Sequence, residues 1–222
     1  MARMPAAKWQ GEHGSLLMTR YDIFCIHTIV GFAPAHAAHF SSDAEGNLFQ
    51  SRDTRFRSAA NLNGNHRVIA MENEDHGPAF KNWIGTDVPP FTPDQVKAIA
   101  KAFAWSHKTH GIPLKLCPDS KPTSKGLAYH RQGCDGNFGP FKFPGRVEGG
   151  EVWSSAFGKV CPGDRRIAQL PEILELAKEI VNPKKTFRVT AIKVRTFKGR
   201  KLARAWRAAM KARGFKTAIK EL

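Results

Sequence analysis

Of the 35 lysines and arginines in this 222-residue chain, 14 fall within residues 184–222, where they meet a single acidic side chain. The 183 residues before them carry 21 basic against 18 acidic side chains. Like charges at such density repel one another when compacted. The chain must therefore fold as a nearly neutral body with a cationic appendage, not as one evenly mixed domain. The formal charge of +16 is mostly a property of that appendage. It marks a contact for something polyanionic: nucleic acid, an anionic membrane face or an anionic wall polymer. Asn182-Pro183, which ends a helical pattern, sets the boundary and gives domains of 1–182 and 183–222.

The larger part is long enough to bury a substantial core of its own. No run of about 18 apolar residues is present to cross a bilayer. The start, "MARMPAAKWQGEHGS", lacks the apolar core of a secretory leader, so a reducing compartment is expected. Cys25, Cys117, Cys134 and Cys161 are too few and too irregular for a disulfide scaffold, which leaves thiol or metal roles and a Cys117–Cys134 bridge open.

"YDIFCIHTIVG" has the apolar, β-branched density of a buried central strand. "AHFSS" and "NLFQSR" flank "DAEGN", a hairpin in which Gly46 supplies the positive φ, and "HRVIAME" reads as another core strand. A helix starts at Thr92 with Pro93 at its first position and Gln95 completing a capping box. Val96, Ile99, Ala100 and Phe103 form its buried stripe, and Gly111 stops it. "LKL" at 114–116 reads as a further strand, and residues 117–158 as a long surface loop. "LPEILELAKEIV" is a helix with Ile173, Leu174, Ala177, Ile180 and Val181 on one face. The basic appendage reads as strand, helix, strand, with Leu202, Trp206 and Met210 spaced four apart on the helix. The expected class is α/β: a central mixed β-sheet flanked by helices, plus a small basic βαβ-like module.

Three residues of metal-ligating type stand in informative places: His27 in the first core strand, His130 in "GLAYHRQG" and Cys161 in "GKVCPG". Two imidazoles and a thiolate suit Zn²⁺, and three protein ligands leave a fourth position open, as catalytic sites do. Spacing alone is a weak signal, because the three lie too far apart for any local finger. Each also has a structural reading, as a core histidine, an ordinary histidine or a packed turn cysteine.

The segments around them are more informative. "IFCIHTIVG", "AAHFSSDAEGNLFQSRD", "HRVIAMENED", "LAYHRQG" and "GKVCPGDRR" resemble, in order, the conserved segments of the zinc-dependent type-2 N-acetylmuramoyl-L-alanine amidases. These belong to the peptidoglycan-recognition-protein family, and the likeness is to its phage endolysins in particular. It covers roughly residues 15 to 182. The resemblance implies that His27, His130 and Cys161 bind zinc, with Asp164 the competing third ligand. It makes Glu72 the general base, with Glu74 or Asp75 as substitutes, and Lys159 the cation facing the oxyanion. Some members carry a catalytic tyrosine where this chain has Ala38, which shifts weight to Glu72 and Lys159; His39 is left as a residue behind the metal or against substrate. Trp153 and Phe138 are expected to wall the substrate groove.

The implied reaction is hydrolysis of the amide between N-acetylmuramic acid and L-alanine of peptidoglycan. The implied setting is a monomer accumulating in the cytoplasm of an infected bacterium and reaching the wall after release through a separate pore. The basic module then holds anionic wall polymers or lipid headgroups. Two other functions compete. A nucleic-acid-binding zinc protein would use the tail on phosphate, although the near-neutral larger domain carries no nucleic-acid module pattern. A non-catalytic peptidoglycan-binding protein would not need the full set of ligands, Glu72 and Lys159.

Overall fold

The computed structural model describes residues 2–11, 14–29, 31–75, 88–183 and 200–213. Chain contacts divide it into two compact units, Met1–Lys184 and Lys185–Leu222. In the first unit the described strands are β1 (Lys8–Trp9), β2 (Ile23–Thr28), β3 (Phe40–Ser42), β4 (Leu48–Gln50), β5 (Val68–Asn73) and β6 (Gly126–Tyr129). Its helices are α1 (Pro93–His110), α2 (Asp164–Ile167) and α3 (Leu170–Val181).

The strands form one mixed sheet in the order β1-β4-β3-β5-β2-β6. Only the β3–β4 hairpin is antiparallel, and Gly46 in its turn has φ +77°. β2 lies between β5 and β6, parallel to both, and all six of its residues are buried. This explains its unbroken apolar run, since a strand covered on both faces needs no polar alternation.

Successive side chains of β2 point to opposite faces. Phe24 and Ile26 join Ile69, Met71 and Leu127 in the main core, against Val96, Ile99 and Phe103 of α1 and Ile173, Leu174 and Ala177 of α3. Each such side chain removed from water contributes about 1.5–3 kcal/mol. Ile180, expected on the buried face of α3, is instead 40% exposed, because it lies at the last turn where the helix leaves the core. α1 begins as expected, with both bonds of the Thr92–Gln95 capping box formed and Gly111 left-handed at its end.

Ile23 and Cys25 face the other way and pack with Val68, Ala128, Cys117 and Trp153. Trp153 is therefore not a groove wall: it is 1% exposed and fills the face that α1 and α3 do not cover. It presses on Gly64 and Gly133 so closely that a Cβ at either would collide with the indole. The stretch 117–158 is also more than a loop, since it contains β6. "LKL" contributes only a bridge from Leu116 to Leu127. All four cysteines are free and buried, so Cys117 and Cys134 do not pair.

In the second unit the described element is α4 (Arg200–Ala212). Arg204, Arg207 and Lys211 are exposed, and Trp206 and Met210 are half-buried. The two strands expected on either side of it lie outside the described residues. No helix among the described residues is long and apolar enough to cross a membrane.

Candidate metal centre and active site

The parallel strands end together, and their ends build the site. Register places His27 of β2 beside Glu72 of β5, and Ile26 of β2 beside Tyr129 of β6. His130, the residue after Tyr129, therefore arrives next to His27, with ring centroids 4.2 Å apart and planes at 42°. The chain then leaves the sheet in a 3₁₀ turn, His130–Gly133. The "VCPG" turn supplies the third member. Thr28 N donates to Cys161 Sγ (3.3 Å), Thr28 Oγ1 donates to Pro162 O (2.8 Å), and Arg131 N donates to Cys161 O (2.9 Å). The ligand atoms of His27, His130 and Cys161 lie within 4.8 Å of one another, all buried.

Hydrogen bonds determine which nitrogen each imidazole offers. His27 Nε2 donates to Asn61 Oδ1 (3.2 Å), and His130 Nε2 donates to the Trp153 carbonyl (3.0 Å). Both rings are thereby held with Nδ1 as the lone-pair nitrogen, the outer-shell arrangement of metal-binding histidines. His130 Nδ1 is buried without a hydrogen-bond partner, as is Glu72 Oε2. Such orphans cost about 1–3 kcal/mol each unless something satisfies them. A cation among these groups would do so, and the His27–His130–Cys161 group can hold a metal ion.

The electrostatics of the two imidazoles agree with that reading, since the neutral ring is the ligating form, while the thiol carries a proton that a metal must displace. Burial, then the neighbouring His130 and Lys159, push His27 well below the usual histidine range. His130 falls to about 3, mainly through burial and then through Lys159. Burial raises the Cys161 thiol to about 12, helped by the Glu72 charge. Without a cation the group is thus neutral, and a thiol 1% exposed with its proton held so firmly is not a nucleophile. Metal binding would have to displace that proton.

Glu72 Oε1 lies 3.7 Å from His27 Nδ1, too far for a hydrogen bond, and the side chain is 16% exposed. It is dehydrated enough for burial to raise its carboxyl to about 7 against the opposing pull of Lys159 and Arg166. Lys159 is half-buried, and its charge acts on His27, His130, Glu72 and Cys161 alike.

Two of the competing carboxylates are engaged elsewhere, and the third, Asp75, is buried with its charge acting on Arg166. Glu74 Oε2 accepts from Ala33 N (3.1 Å), and Asp164 pairs with Arg131 and accepts from Lys142 N (3.1 Å). His39 is fully buried and bonded to the Phe56 carbonyl and Ala70 N, so both of its ring nitrogens are used within the fold. Asn61, Thr28 and the Trp153 carbonyl escaped the sequence reading. A backbone carbonyl leaves no residue-type signal, and Asn61 in "AANLNGN" looks like any turn asparagine.

No family model and no curated protein matches the sequence. Solved structures do match. The endolysin N-acetylmuramoyl-L-alanine amidase LysCS of Clostridium intestinale aligns at a TM-score of 0.51 and 12% identity, covering 79% of this chain and 99% of its own. The hydrolase AmiA of Staphylococcus aureus, solved with its ligand, aligns at 0.51 and 12%, covering 80% and 85%. AmpD aligns at 0.51 and 11%, covering 77% and 96%. At such identity the likeness is one of backbone architecture: this chain has the fold of the N-acetylmuramoyl-L-alanine amidases.

Proposed function

We propose that residues 1–182 are a zinc-dependent N-acetylmuramoyl-L-alanine amidase of endolysin type, cleaving the amide between N-acetylmuramic acid and L-alanine of peptidoglycan. The observation that carries this is the buried His27–His130–Cys161 group with the Glu72 carboxylate 3.7 Å from one of its nitrogens, in an amidase fold. Two nitrogens and a sulfur are a donor set zinc takes, and the buried His130 Nδ1, without a hydrogen bond, suits a metal ligand.

His27 Nδ1, His130 Nδ1 and Cys161 Sγ would hold the ion. Bound there, zinc supplies a Lewis acid and a water whose pKa falls towards about 7. Glu72 takes a proton from the attacking water and returns it to the departing amine, and a carboxyl held at about 7 is matched to both transfers. Lys159 places its positive charge where the oxyanion of the substrate carbonyl develops, a contribution of about 3 kcal/mol for a well-placed donor. Asn61 and the Trp153 carbonyl keep the two imidazoles oriented. Residues 183–222 hold the enzyme on anionic wall polymers or lipid headgroups, and the exposed Arg204, Arg207 and Lys211 suit that task. The protein acts as a monomer and accumulates in the cytoplasm of an infected cell before release.

Added to purified peptidoglycan, the protein is expected to free L-alanine amino termini without new reducing sugar ends. A chelator stops this and zinc restores it. Reducing ends would make it a glycosidase, and binding without release would make it a non-catalytic receptor. Cys161→Ala removes the zinc and takes hydrolysis to background, whereas retained activity would move the third ligand to Asp164. Removing 184–222 spares hydrolysis of soluble fragments and weakens wall binding at low salt. Tight binding to DNA or RNA, with no effect on walls, would favour the nucleic-acid reading.

A further inference from the structure

Arg166 has no role in the reaction outlined above, yet its guanidinium is fully buried behind the site. It stands on α2, immediately after the Cys161-Pro162-Gly163 turn. Nη1 donates to Thr28 Oγ1 (3.0 Å) and to Asn73 O (3.1 Å), Nη2 to Glu74 O (2.8 Å) and Nε to Pro89 O (2.9 Å). The ring of Phe91 lies against it, 4.6 Å from the guanidinium carbon. These acceptors are three backbone carbonyls and a hydroxyl, none with a full charge.

The positions of those acceptors matter more than their number. Thr28 follows His27 on β2, and Asn73 follows Glu72 on β5. Thr28 Oγ1 gives its one proton to Pro162 O, so it must accept from Arg166, and its own backbone N–H points at Cys161 Sγ. A directed chain therefore runs from Arg166 through Thr28 to the cysteine turn. A second branch fixes the end of β5 beside Glu72. Only a planar fork of five donors can reach both strand ends from one position, and an ammonium cannot.

We propose that Arg166 is the positioning residue of the metal site, locking β2, β5 and the cysteine turn in one register so that Cys161 meets His27 and Glu72 at fixed separation. This rests on the reading that His27, His130 and Cys161 hold a metal ion. Loss of such outer-shell support typically lowers metal affinity about 10–100-fold.

The experiment uses the full chain loaded with Zn²⁺ or Co²⁺ and compares Arg166→Lys, Thr28→Val and Arg67→Lys. Thr28→Val is the mild variant: it removes the relay hydroxyl at nearly constant volume and keeps the backbone bond to Cys161. Arg67→Lys is the control, since Arg67 is equally buried but bonds Glu151 and the carbonyls of Ser120, Lys121 and Ser124. Arg166→Lys and Thr28→Val are expected to weaken metal binding about 10–100-fold in chelator competition and to alter the thiolate-to-cobalt absorption band. Arg67→Lys lowers the melting temperature and leaves affinity and band unchanged. Wild-type affinity and an unchanged band in both Arg166→Lys and Thr28→Val, whatever their melting temperatures, would overturn the proposal. A wild-type chain that binds neither metal would overturn the metal reading and the proposal with it. A chain that binds zinc but does not cleave peptidoglycan would overturn only the amidase reading.

Discussion

The two ends of the central strands are each clamped by a fully buried arginine, and the clamps differ. Where β2 and β5 begin, Arg67 chelates both oxygens of Glu151 through Nε (3.0 and 2.9 Å) and lies 3.7 Å from Asp22, so its charge is neutralised by carboxylates. Where the same strands finish, the hydrogen-bond acceptors of Arg166 are uncharged oxygens, the carboxylates of Asp75 and Glu72 act on its charge through space, and His130 Nδ1 and Glu72 Oε2 are left without hydrogen bonds nearby. One end is closed by a direct ion pair; the other leaves a histidine nitrogen and a carboxylate oxygen without hydrogen bonds. In α/β sheets ligands bind at the carboxyl ends of parallel strands, and here that is the end where His130 Nδ1 and Glu72 Oε2 lack hydrogen bonds.

If that division is right, substitutions at the two ends should separate chemistry from stability. Glu72→Gln, at the open end, is expected to lower kcat on peptidoglycan about 10²–10⁴-fold. Zinc content and melting temperature should stay near wild type, and a variant as active as wild type would remove Glu72 from the reaction. Arg67→Met, at the closed end, leaves Asp22 and Glu151 without their partner and is expected to cost about 3–5 kcal/mol in denaturant unfolding. Its folded fraction should keep full zinc, and a loss of zinc in proportion would collapse the distinction between the ends.

His39 tests the middle of the sheet, where neither clamp reaches. Its Nδ1 accepts from Ala70 N (3.1 Å) and its Nε2 donates to Phe56 O (2.8 Å), and burial holds its pKa at about 3, below the ordinary 6.5. Because the folded value lies below the unfolded one, the unfolded chain takes up the proton first as pH falls. The stabilisation is intact above about 6.5 and drains away towards 3, so this group alone should remove about 1.5 kcal/mol between pH 6.5 and 5. His39→Gln should flatten that part of the stability profile, and an unchanged slope would place the titration elsewhere. Thr92→Ala is the smallest perturbation. It opens the capping box of α1, whose Gln95 bonds the same Glu74 carbonyl as Arg166, and is expected to cost about 1 kcal/mol without changing zinc affinity.

Local signals made much of the fold legible. The apolar run of β2, the Gly46 hairpin and the Thr92-Pro93-Gln95 start of α1 each follow from short-range chemistry, and each occurs where the residues indicate. β6 was less visible, because "GLAY" is only four residues long and is surrounded by loop composition. Trp153 misled for a related reason: a tryptophan in a loop looks like a groove wall until the uncovered face of the sheet is known. His27, His130 and Cys161 were legible as candidates through their surrounding segments, whereas Asn61, Thr28 and Arg166 carried no signal.

The sequence alone determined the partition of charge, the longer elements such as β2, α1 and α3, and the residue kinds available for chemistry, because these depend on composition and on neighbours a few positions apart. Tertiary structure decided which carboxylate stands beside His27, which nitrogen each histidine offers and which arginine serves the site. Those outcomes depend on parallel register, which pairs His27 with Glu72, and on burial, which shifts the protonation of His27, Glu72, His130 and Cys161. Register and burial arise from contacts between segments distant in the chain, and no local pattern encodes them.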